Sequence, residues 1–374
     1  MKKLLLIGLI LITVFITGCW DMIEVNQRIF PYVVGIDLNN DSEKRLKFTF
    51  SYPNINALGK NPTQDEKIYV VIAAGNSGFE GIHHLDSKLQ YPMYIKLLKV
   101  IIISEEVAKD EDIIRQIVDG INRDYLLNKK IQIVVVKGLA EDFIANAVKA
   151  KRQESVEGPL YGLLLNEQGS SSFTPKNIAG FINDMDICNA SITPLAIPLP
   201  DDLEIRGGGV FKNYKLVGYI DEKENHAIAI LLNEINEDVL QAEYESNSIT
   251  ALGSSFKTKR KLIEGKEDLS VLFTVEVEAQ LHEYTLTEKP SVNTIEVTYA
   301  MEKALEDGLK LDLEMAIESM QNEYKADILH IGDYIRKFHP KIWEQLEPDW
   351  EKIFSKINIM IEVDVKLRRR GLIK

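Results

Sequence analysis

The chain has 374 residues, and 57 Asp and Glu against 44 Lys and Arg give it a formal net charge of −13 at pH 7. This length exceeds what one ordinary hydrophobic core holds, so the sequence predicts two or three domains. The acidic balance argues against a nucleic-acid-binding protein and against a membrane attachment held by basic residues, because both need clustered Lys and Arg.

The first residues have the layout of a secretory signal. Lys2 and Lys3 precede an uncharged, mostly apolar run over residues 4–17, as in a charged region followed by a short apolar region. The run is shorter than the about 20 residues that a spanning helix needs. A branched apolar residue and two small residues come directly before Cys19, an arrangement that resembles the lipobox of bacterial lipoproteins.

This resemblance implies that residues 1–18 are a signal peptide that is removed, and that Cys19 becomes the first residue with an S-diacylglyceryl group and an N-acyl chain such as palmitate. Two chains anchor a protein stably, whereas one binds a membrane only marginally. The alternative is an uncleaved signal anchor in which Cys19 is a bystander. Residues 19–28 show no hydrophobic period and are predicted to be a lipidated tether.

Residues 29–205 are predicted to form an N-terminal α/β region with a mixed sheet. Strand-like and helix-like segments alternate, which favours some parallel pairing. The run at 67–74 is nearly continuous in apolar residues, so we expect it to be buried on both faces. The predicted strands are 46–52, 67–74, 97–104 and 131–138, and the predicted helices are 111–124 and 139–150.

Residues 151–205 are polar and rich in turn-forming residues, with three prolines within 191–202. This composition predicts loops, and a second subdomain beginning near 151 stays open as an alternative. The stretch 199–209 predicts a domain boundary, which we place between residues 205 and 206.

Residues 206–374 are predicted to form an α+β domain in which long antiparallel strands pack against a long helix. Residues 209–220 indicate a hairpin with its turn at residues 212–214. Apolar side chains alternate strictly over 269–282 and 357–368, as in strands with one buried and one wet face.

Charges on the wet faces of these two strands favour an antiparallel pairing between them. Glu276 and Glu278 on the first strand could oppose Lys366 and Arg368 on the second, since opposite charges on facing positions stabilise a sheet.

Between the two strands, residues 293–339 are predicted to be helical, with a break near Gly308 and an end at Pro340. Met315 and Met320 are interpreted as core side chains. Apolar residues recur at steps of three and four, as on the buried face of a helix: Leu313, Ile317, Met320, Tyr324, Ile328, Ile331, Ile335 and Phe338.

No catalytic signature, cofactor motif or metal-ligand spacing is present, so no enzymatic activity is predicted and no hydrolase nucleophile or base can be named. His83 with His84, and His330 with Asp333 and His339, do not form a ligand set. Cys188 is interpreted as a small packed side chain, with a nucleophile as the alternative. Gly207 to Gly209 lack the helix and Lys-Ser/Thr of a phosphate site, which favours a flexible join or a bend at the entry to a strand.

Five side chains near the C-terminus are candidates for contact with a partner. Trp343 and Trp350 have the simplest role of covering the end of the core, and partner binding is the alternative because exposed aromatics make good anchors. Arg368, Arg369 and Arg370 are interpreted as a solvated strand end that discourages edge pairing, with contact to a partner or to lipid headgroups as the alternative.

In the C-terminal region, residues 324–373 carry a specific combination of positions: Asp327 through Gly332, Pro340, Trp343, Trp350, Phe354 and Gly371. Further segments of this kind are GCWDMIEVNQR (18–28), GIDL (35–38), KVIIISEEVAKD (99–110) and GVFKNYKLVGYI (209–220). Together, along the whole mature chain, these segments resemble the Ger(x)C family, the C-subunit lipoproteins of spore germinant receptors.

The resemblance implies a mixed α/β fold of three domains and no enzymatic activity. It also implies a protein held by lipid on the outer face of the inner spore membrane. There it would work with integral-membrane A and B subunits in a receptor for small nutrients such as amino acids or sugars. A nutrient solute-binding lipoprotein is the alternative, although long alternating strands beside a long helix do not suggest its two doubly wound lobes.

Overall fold

The computed structural model describes the chain in ten segments that together form two β-sheets, one of eight strands and one of four. Cys19 lies outside the described residues, as do residues 371–374. The described residues are 27–40, 43–54, 68–125, 127–150, 157–165, 172–199, 203–244, 247–265, 269–284 and 295–370.

The eight-stranded sheet occupies the N-terminal part of the chain. Its strands are β1 Val33–Leu38, β2 Leu46–Pro53, β3 Ile68–Gly75, β4 Val100–Ser104, β5 Gln132–Val136, β6 Ala190–Pro198, β7 Leu203–Lys212 and β8 Lys215–Ile220. They lie in the order β3-β2-β1-β4-β5-β6-β7-β8. Strands β1, β4, β5 and β6 are parallel, and antiparallel strands extend the sheet on both sides. The predicted mixed sheet is therefore confirmed.

Helices cover both faces of the central strands. Every residue of β4 and β5 is buried, as expected for parallel strands between two helical layers. One face packs against α1, α2, α3 and α6, and the other packs against α4 and α5. These helices are α1 Gly78–Asp86, α2 Glu105–Ala108, α3 Glu111–Arg123, α4 Ala140–Ala150, α5 Glu157–Leu164 and α6 Ile178–Cys188.

The expectation that residues 67–74 are buried on both faces is wrong. This segment forms β3, the outermost strand of the sheet, where a single neighbouring strand leaves much of its surface open. Tyr69, Val70 and Ile72 are 38%, 41% and 41% exposed. An apolar run therefore marks an edge strand here and not a central one.

Residues 151–205 contain more regular structure than their composition predicted. Helices α5 and α6 and strand β6 all lie in this segment, and β6 includes Pro194. The register with β7 shifts just after this proline, and β6 pairs with β5 only from Leu195 onward. A bulge beside the proline explains how it fits inside the sheet.

The proposed boundary between residues 205 and 206 falls inside β7, so the eight-stranded sheet continues across it. The glycine triplet lies in this strand and not in a linker. A Cβ on Gly207 would lie 2.2 Å from the Ile220 carbonyl oxygen, and its φ is +61°, so the close approach of β7 and β8 requires glycine. The division of the chain at 205 stays a prediction.

The predicted hairpin is confirmed as β7 and β8. Lys212 pairs with Lys215 across a two-residue turn. Asn213 and Tyr214 both have positive φ values, 50° and 63°, which is the geometry that matches the twist of a hairpin.

The second sheet is built from β9 Asp238–Tyr244, β10 Asn247–Glu264, β11 Leu269–Tyr284 and β12 Asn358–Arg370, in the order β12-β11-β10-β9. The alternation in β11 places Val271, Phe273, Val275 and Val277 in the core as predicted. That core also includes Ile192, Val210 and Ile220 of the first sheet, so a single hydrophobic cluster joins the two sheets.

The expected antiparallel pairing of β11 and β12 is wrong, because these strands are parallel. Parallel strands need a long crossover, and the helical region between them provides it. The register places Glu278 beside Lys366, while the Arg368 Nη2 lies 2.8 Å from the Glu278 Oε1. Opposite charges thus meet in either orientation, which is why they did not identify the strand direction.

The crossover consists of several helices, and its main break is not at Gly308. Gly308 lies inside α8, and the chain turns at Lys325, whose φ is +49°. The elements are α7 Glu222–Leu232 before the sheet, then α8 Ile295–Glu318, a π-helical turn Ser319–Tyr324, α9 Ile331–Phe338, α10 Pro340–Leu346, a 3₁₀ turn Glu347–Asp349 and α11 Trp350–Phe354.

The predicted apolar stripe is buried from Leu313 to Ile335. Phe338 and Met315 were wrongly assigned to the core, since they are 67% and 58% exposed. Phe338 shares the face of Ile331 and Ile335, but it is the last residue of α9, where the buried face ends. Met315 lies two residues from Leu313, which places it on the opposite side of α8. The overall prediction of a mixed, multi-domain α/β protein is confirmed.

Candidate functional site

Asp327 connects the helices that follow the long helix. Its carboxylate accepts hydrogen bonds from the backbone N–H of Ile331 at 2.9 Å and of Gly332 at 2.7 Å. The indole Nε1–H of Trp350 donates to the same group at 3.1 Å. Burial raises the pKa of Asp327 above its ordinary value, and these N–H donors oppose that rise. One buried side chain thus fixes the start of α9 and the position of α11.

Trp343 and Trp350 pack against each other over this connection. Their ring centroids are 5.4 Å apart at an interplanar angle of 63°, an edge-to-face arrangement favoured between aromatic rings. A Cβ on Gly332 would lie 2.6 Å from the Trp350 Nε1, so the helix approaches the rings closely only because this residue is glycine. Both Trp side chains are half-buried against the core that joins the two sheets, which agrees with a covering role.

A cavity of about 390 Å³ lies beside Trp350, between the end of the first sheet and the C-terminal helices. The Nζ of Lys212, in the β7–β8 hairpin, lies 2.5 Å from the Oε1 of Glu351 in α11. This ion pair connects the first sheet to the C-terminal helices. The charged side chains that line the cavity are Lys212, Asp327, Lys325, Glu347, Asp349, Glu351 and Lys352. A space with both signs of charge and one aromatic wall suits a polar partner segment or a small charged ligand.

Three residues in the lining of this cavity have left-handed backbone conformations: Asn189, Asn213 and Lys325, with φ values of 52°, 50° and 49°. Asparagine tolerates this region, whereas lysine is uncommon there. The Asn213 N–H donates to the Asn189 carbonyl at 2.8 Å. The conformation of Lys325 turns the chain so that Ala326 and Asp327 enter the core.

Cys188 also lines the cavity. Burial raises the pKa of its thiol, and the nearby carboxylates add to that rise. Since the thiolate is the nucleophilic form, these surroundings favour the packed side chain over the nucleophile.

A second polar group links the two halves of the chain next to this region. The Asp184 carboxylate accepts from the Lys176 Nζ at 2.8 Å and from the Ser191 hydroxyl at 2.7 Å. The His330 Nε2 lies 3.7 Å from the Asp184 Oδ1. This contact joins α6 to the turn before α9.

The candidate residues do not form one site. Trp343 and Trp350 are together, but Arg368 lies ten residues into β12, about 33 Å along the strand from its start at 3.3 Å per residue. The side chains of Arg369 and Arg370, like Cys19, lie outside the part of the chain that the structure describes. The family pattern contains Asp327 and Gly332, but the sequence did not show that they support the two Trp residues.

Among the residues that the structure describes, no group of three or more His, Cys, Asp or Glu side chains could hold a metal ion. Across those same segments, no helix has the length and apolar character needed to cross a bilayer. His84, which the sequence did not suggest as a metal ligand, lies with its Nδ1 3.0 Å from the Ala74 carbonyl oxygen.

Two family models match the chain. The model described as "Spore germination protein N-terminal domain" matches residues 21–196, and that described as "Spore germination B3/ GerAC like, C-terminal" matches residues 206–371. Among curated proteins, the chain is 23% identical to spore germination protein B3 of Bacillus subtilis, over 95% of each chain. It is also 23% identical to spore germination protein GerQC of Bacillus cereus, over 97% of this chain and 98% of the relative.

The fold is similar to the crystal structure of the GerBC protein. The TM-score is 0.61, the sequence identity is 17%, and the match covers 93% of this chain and 100% of that one. At this identity the comparison concerns the fold alone. Taken with the two family models that match consecutive parts of the sequence, it leads to one conclusion: the chain belongs to the Ger(x)C family of spore germination proteins.

Proposed function

We propose that this protein is the non-enzymatic C subunit of a spore germinant receptor, anchored by lipid on Cys19 to the outer face of the inner spore membrane. It acts in nutrient-triggered germination by assembly with integral-membrane A and B subunits. The observation that carries the proposal is the similarity to spore germination proteins over nearly the whole chain, at 95% or more of both partners in the alignments with the B3 and GerQC proteins.

The sequence before Cys19 supports the lipid anchor. A short apolar run and small residues at the expected cleavage point precede this cysteine, as signal processing requires. The test is mass spectrometry of the amino-terminal peptide from spore membranes. A peptide that begins at Cys19 and carries diacylglyceryl and acyl groups is the expected result. A peptide that retains residues 1–18 without lipid contradicts the anchor.

The Cys19→Ala variant tests whether the anchor matters for function. We expect a folded protein that is lost from the membrane fraction and spores that germinate poorly with nutrients. The Cys188→Ala variant is the matched control, because it removes the other cysteine and leaves the anchor intact. Normal retention and germination in the Cys19→Ala strain would contradict the proposed role.

The Trp343 and Trp350 cluster with its adjacent cavity is the surface that we propose for contact with the other subunits. Trp343 is the better probe, because Trp350 also donates to Asp327. The Trp343→Ala variant is expected to keep its lipid and its fold but to recover less of the A and B subunits in a pull-down from spore membranes. A wild-type pull-down without two polytopic partners would contradict the receptor-subunit proposal.

A nutrient-binding lipoprotein is the second candidate, and the cavity of about 390 Å³ is the observation that favours it. Lys212, Lys325 and Glu351 could contact a charged solute there, and Trp350 could contact its apolar part. Calorimetric titration of the purified protein with amino acids and sugars distinguishes the two candidates. Saturable binding of one molecule per chain, lost in Trp350→Phe, would favour the solute-binding function.

A further inference from the structure

Three segments that precede parallel strands lie side by side at one edge of the eight-stranded sheet. Val33 of β1 pairs with Val100 of β4, and Val100 pairs with Gln132 of β5, so the three strands begin at the same level. The Lys99 N–H donates to the Tyr32 carbonyl, and the Gln132 N–H donates to the Lys99 carbonyl, both at 2.8 Å. The described residues of these segments, named the amino-terminal edge, are 27–32, 87–99, 124–125 and 127–131.

The amino-terminal edge is basic, although the chain as a whole has a net charge of −13. Lys88, Lys96 and Lys130 are exposed, and the Lys129 ammonium is held against the Ile121 and Asp124 carbonyl oxygens. Its charged side chains are Arg28, Lys88, Lys96, Lys99, Lys129 and Lys130 against Asp124. A local excess of this size attracts an anionic surface, while the acidic remainder of the protein is repelled by it.

Aromatic and apolar side chains are interleaved with these charges. The Arg28 guanidinium lies 4.7 Å from the centre of the Tyr94 ring, and the Lys96 ammonium lies 5.7 Å from it. Tyr125 is 91% exposed and Leu97 is 37% exposed. Tyrosines beside basic side chains are typical of the interface between a bilayer and water.

The amino-terminal edge is also the part of the structure next to the proposed anchor. Cys19 precedes Gln27, the first described residue, by eight positions. Eight fully extended residues span at most about 28 Å, so a lipid on Cys19 keeps this edge close to the bilayer.

We propose that the amino-terminal edge rests on an anionic lipid surface and sets the orientation of the protein on the membrane. The basic side chains contact lipid phosphates, and Tyr125 and Leu97 enter the headgroup layer. This inference deepens the proposed function and rests on it, since it requires the lipid on Cys19. The anchor supplies the attachment, and the charged edge decides which face of the protein meets the bilayer.

Lysine acetylation of the full lipidated protein, reconstituted in vesicles, tests the inference. One set of vesicles contains phosphatidylglycerol with phosphatidylcholine, and the other contains phosphatidylcholine alone. With phosphatidylglycerol, Lys96 and Lys130 should be acetylated about fivefold more slowly than in detergent. Lys257 and Lys261, exposed on the four-stranded sheet, are internal controls that should change little. About 0.5 M NaCl should remove most of the protection.

A pair of charge-reversal variants sharpens the test. Lys96→Glu with Lys130→Glu, and Lys257→Glu with Lys261→Glu, change the net charge equally at exposed positions. Only the double variant Lys96→Glu with Lys130→Glu should abolish the protection of Lys88 and Lys99 from acetylation. Equal loss in both variants would show that net charge alone decides the orientation, and it would overturn the inference.

The outcomes separate this inference from the proposal on which it rests. If Cys19 carries lipid but the lysines of the amino-terminal edge are acetylated as fast in vesicles as in detergent, the proposed orientation is contradicted. The lipid anchor is not contradicted by that result. Cys19 without lipid, read from the amino-terminal peptide of the same sample, overturns both. Protection that appears only in membranes with the A and B subunits assigns this edge to a protein contact and overturns the lipid contact.

Discussion

The Trp350 indole Nε1–H donates to the Asp327 Oδ2 at 3.1 Å, and this bond joins two residues that are 23 positions apart in sequence. The same carboxylate holds the first backbone N–H groups of α9. Because Asp327 is only 4% exposed, water cannot replace it as an acceptor. The position of the Trp pair therefore depends on one buried acid.

The Asp327→Ala variant should lower the free energy of unfolding by about 3 kcal/mol, because three N–H donors, two of them buried, lose their acceptor. Asp327→Asn should cost less, since its amide oxygen still accepts one of these bonds. Chemical denaturation, followed by Trp fluorescence, measures both values. Asp349→Asn is the control on the same surface and should be almost neutral. A loss in Asp327→Ala no larger than in this control would contradict the bonding described here.

Gly332→Ala should destabilise the protein by about 1–3 kcal/mol, because its new methyl group would overlap Trp350. Gly120→Ala is the matched control, since Gly120 also lies in a helix but a Cβ there meets nothing within 4 Å. That change should stabilise the protein by about 0.5–1 kcal/mol, because alanine favours the helix. Thermal unfolding of both variants provides the comparison, and equal effects would argue against the close approach.

Cys188 should react slowly in the folded protein, because burial raises the pKa of its thiol. At pH 8 we expect alkylation by iodoacetamide to be at least about tenfold slower than for an unstructured cysteine peptide. In denaturant, protein isolated from membranes should expose one thiol per chain. Two thiols would indicate that Cys19 is free of lipid, and fast alkylation of the folded protein would contradict the burial of Cys188.

His226 should make stability depend on pH. Its Nε2 lies 3.4 Å from the Asp238 Oδ2. Burial lowers the pKa of His226, while Asp238, Asp312 and Glu222 act in the opposite direction. The unfolded chain therefore binds the proton more readily. Neutral His226 in the folded protein therefore contributes stability that is present above the unfolded pKa of about 6.5. This stability is lost as the pH falls through the folded pKa.

Denaturation curves between pH 7 and pH 5 measure this effect. The free energy of unfolding should fall toward pH 5, by at most about 1.4 kcal/mol per pH unit for one proton. His226→Gln should flatten this fall, whereas His282→Gln, at an exposed position of β11, should leave it unchanged. An unaltered slope in His226→Gln would show that other groups cause the pH dependence.

Sequence periodicity predicted those elements whose burial is regular. The alternation in β11 and the stripe from Leu313 to Ile335 are confirmed because each element keeps one face on the core. The hairpin at Lys212 to Lys215 was also identifiable, since an Asn-containing turn between two strand-like runs has a local cause.

Features that depend on distant neighbours were not predictable in this way. Strand β6 contains Pro194, and only its position beside a bulge makes the proline acceptable. The parallel direction of β12 follows from the long crossover. Charge pairs such as Glu278 with Arg368 do not distinguish this direction from the antiparallel one. The role of Asp327 depends on Trp350, which approaches it only after the intervening chain has folded back.

Strand β7 gives the molecule a mechanical property. Residue 205 lies inside β7, a hydrogen-bonded strand of the first sheet. Strand β8 follows β7 and leads directly to α7, which packs against the second sheet. The Lys212 to Glu351 ion pair adds a second connection near the same end. Under the proposed attachment through Cys19, a force at the membrane would thus be transmitted to the tryptophan cluster through hydrogen-bonded strands and this ion pair.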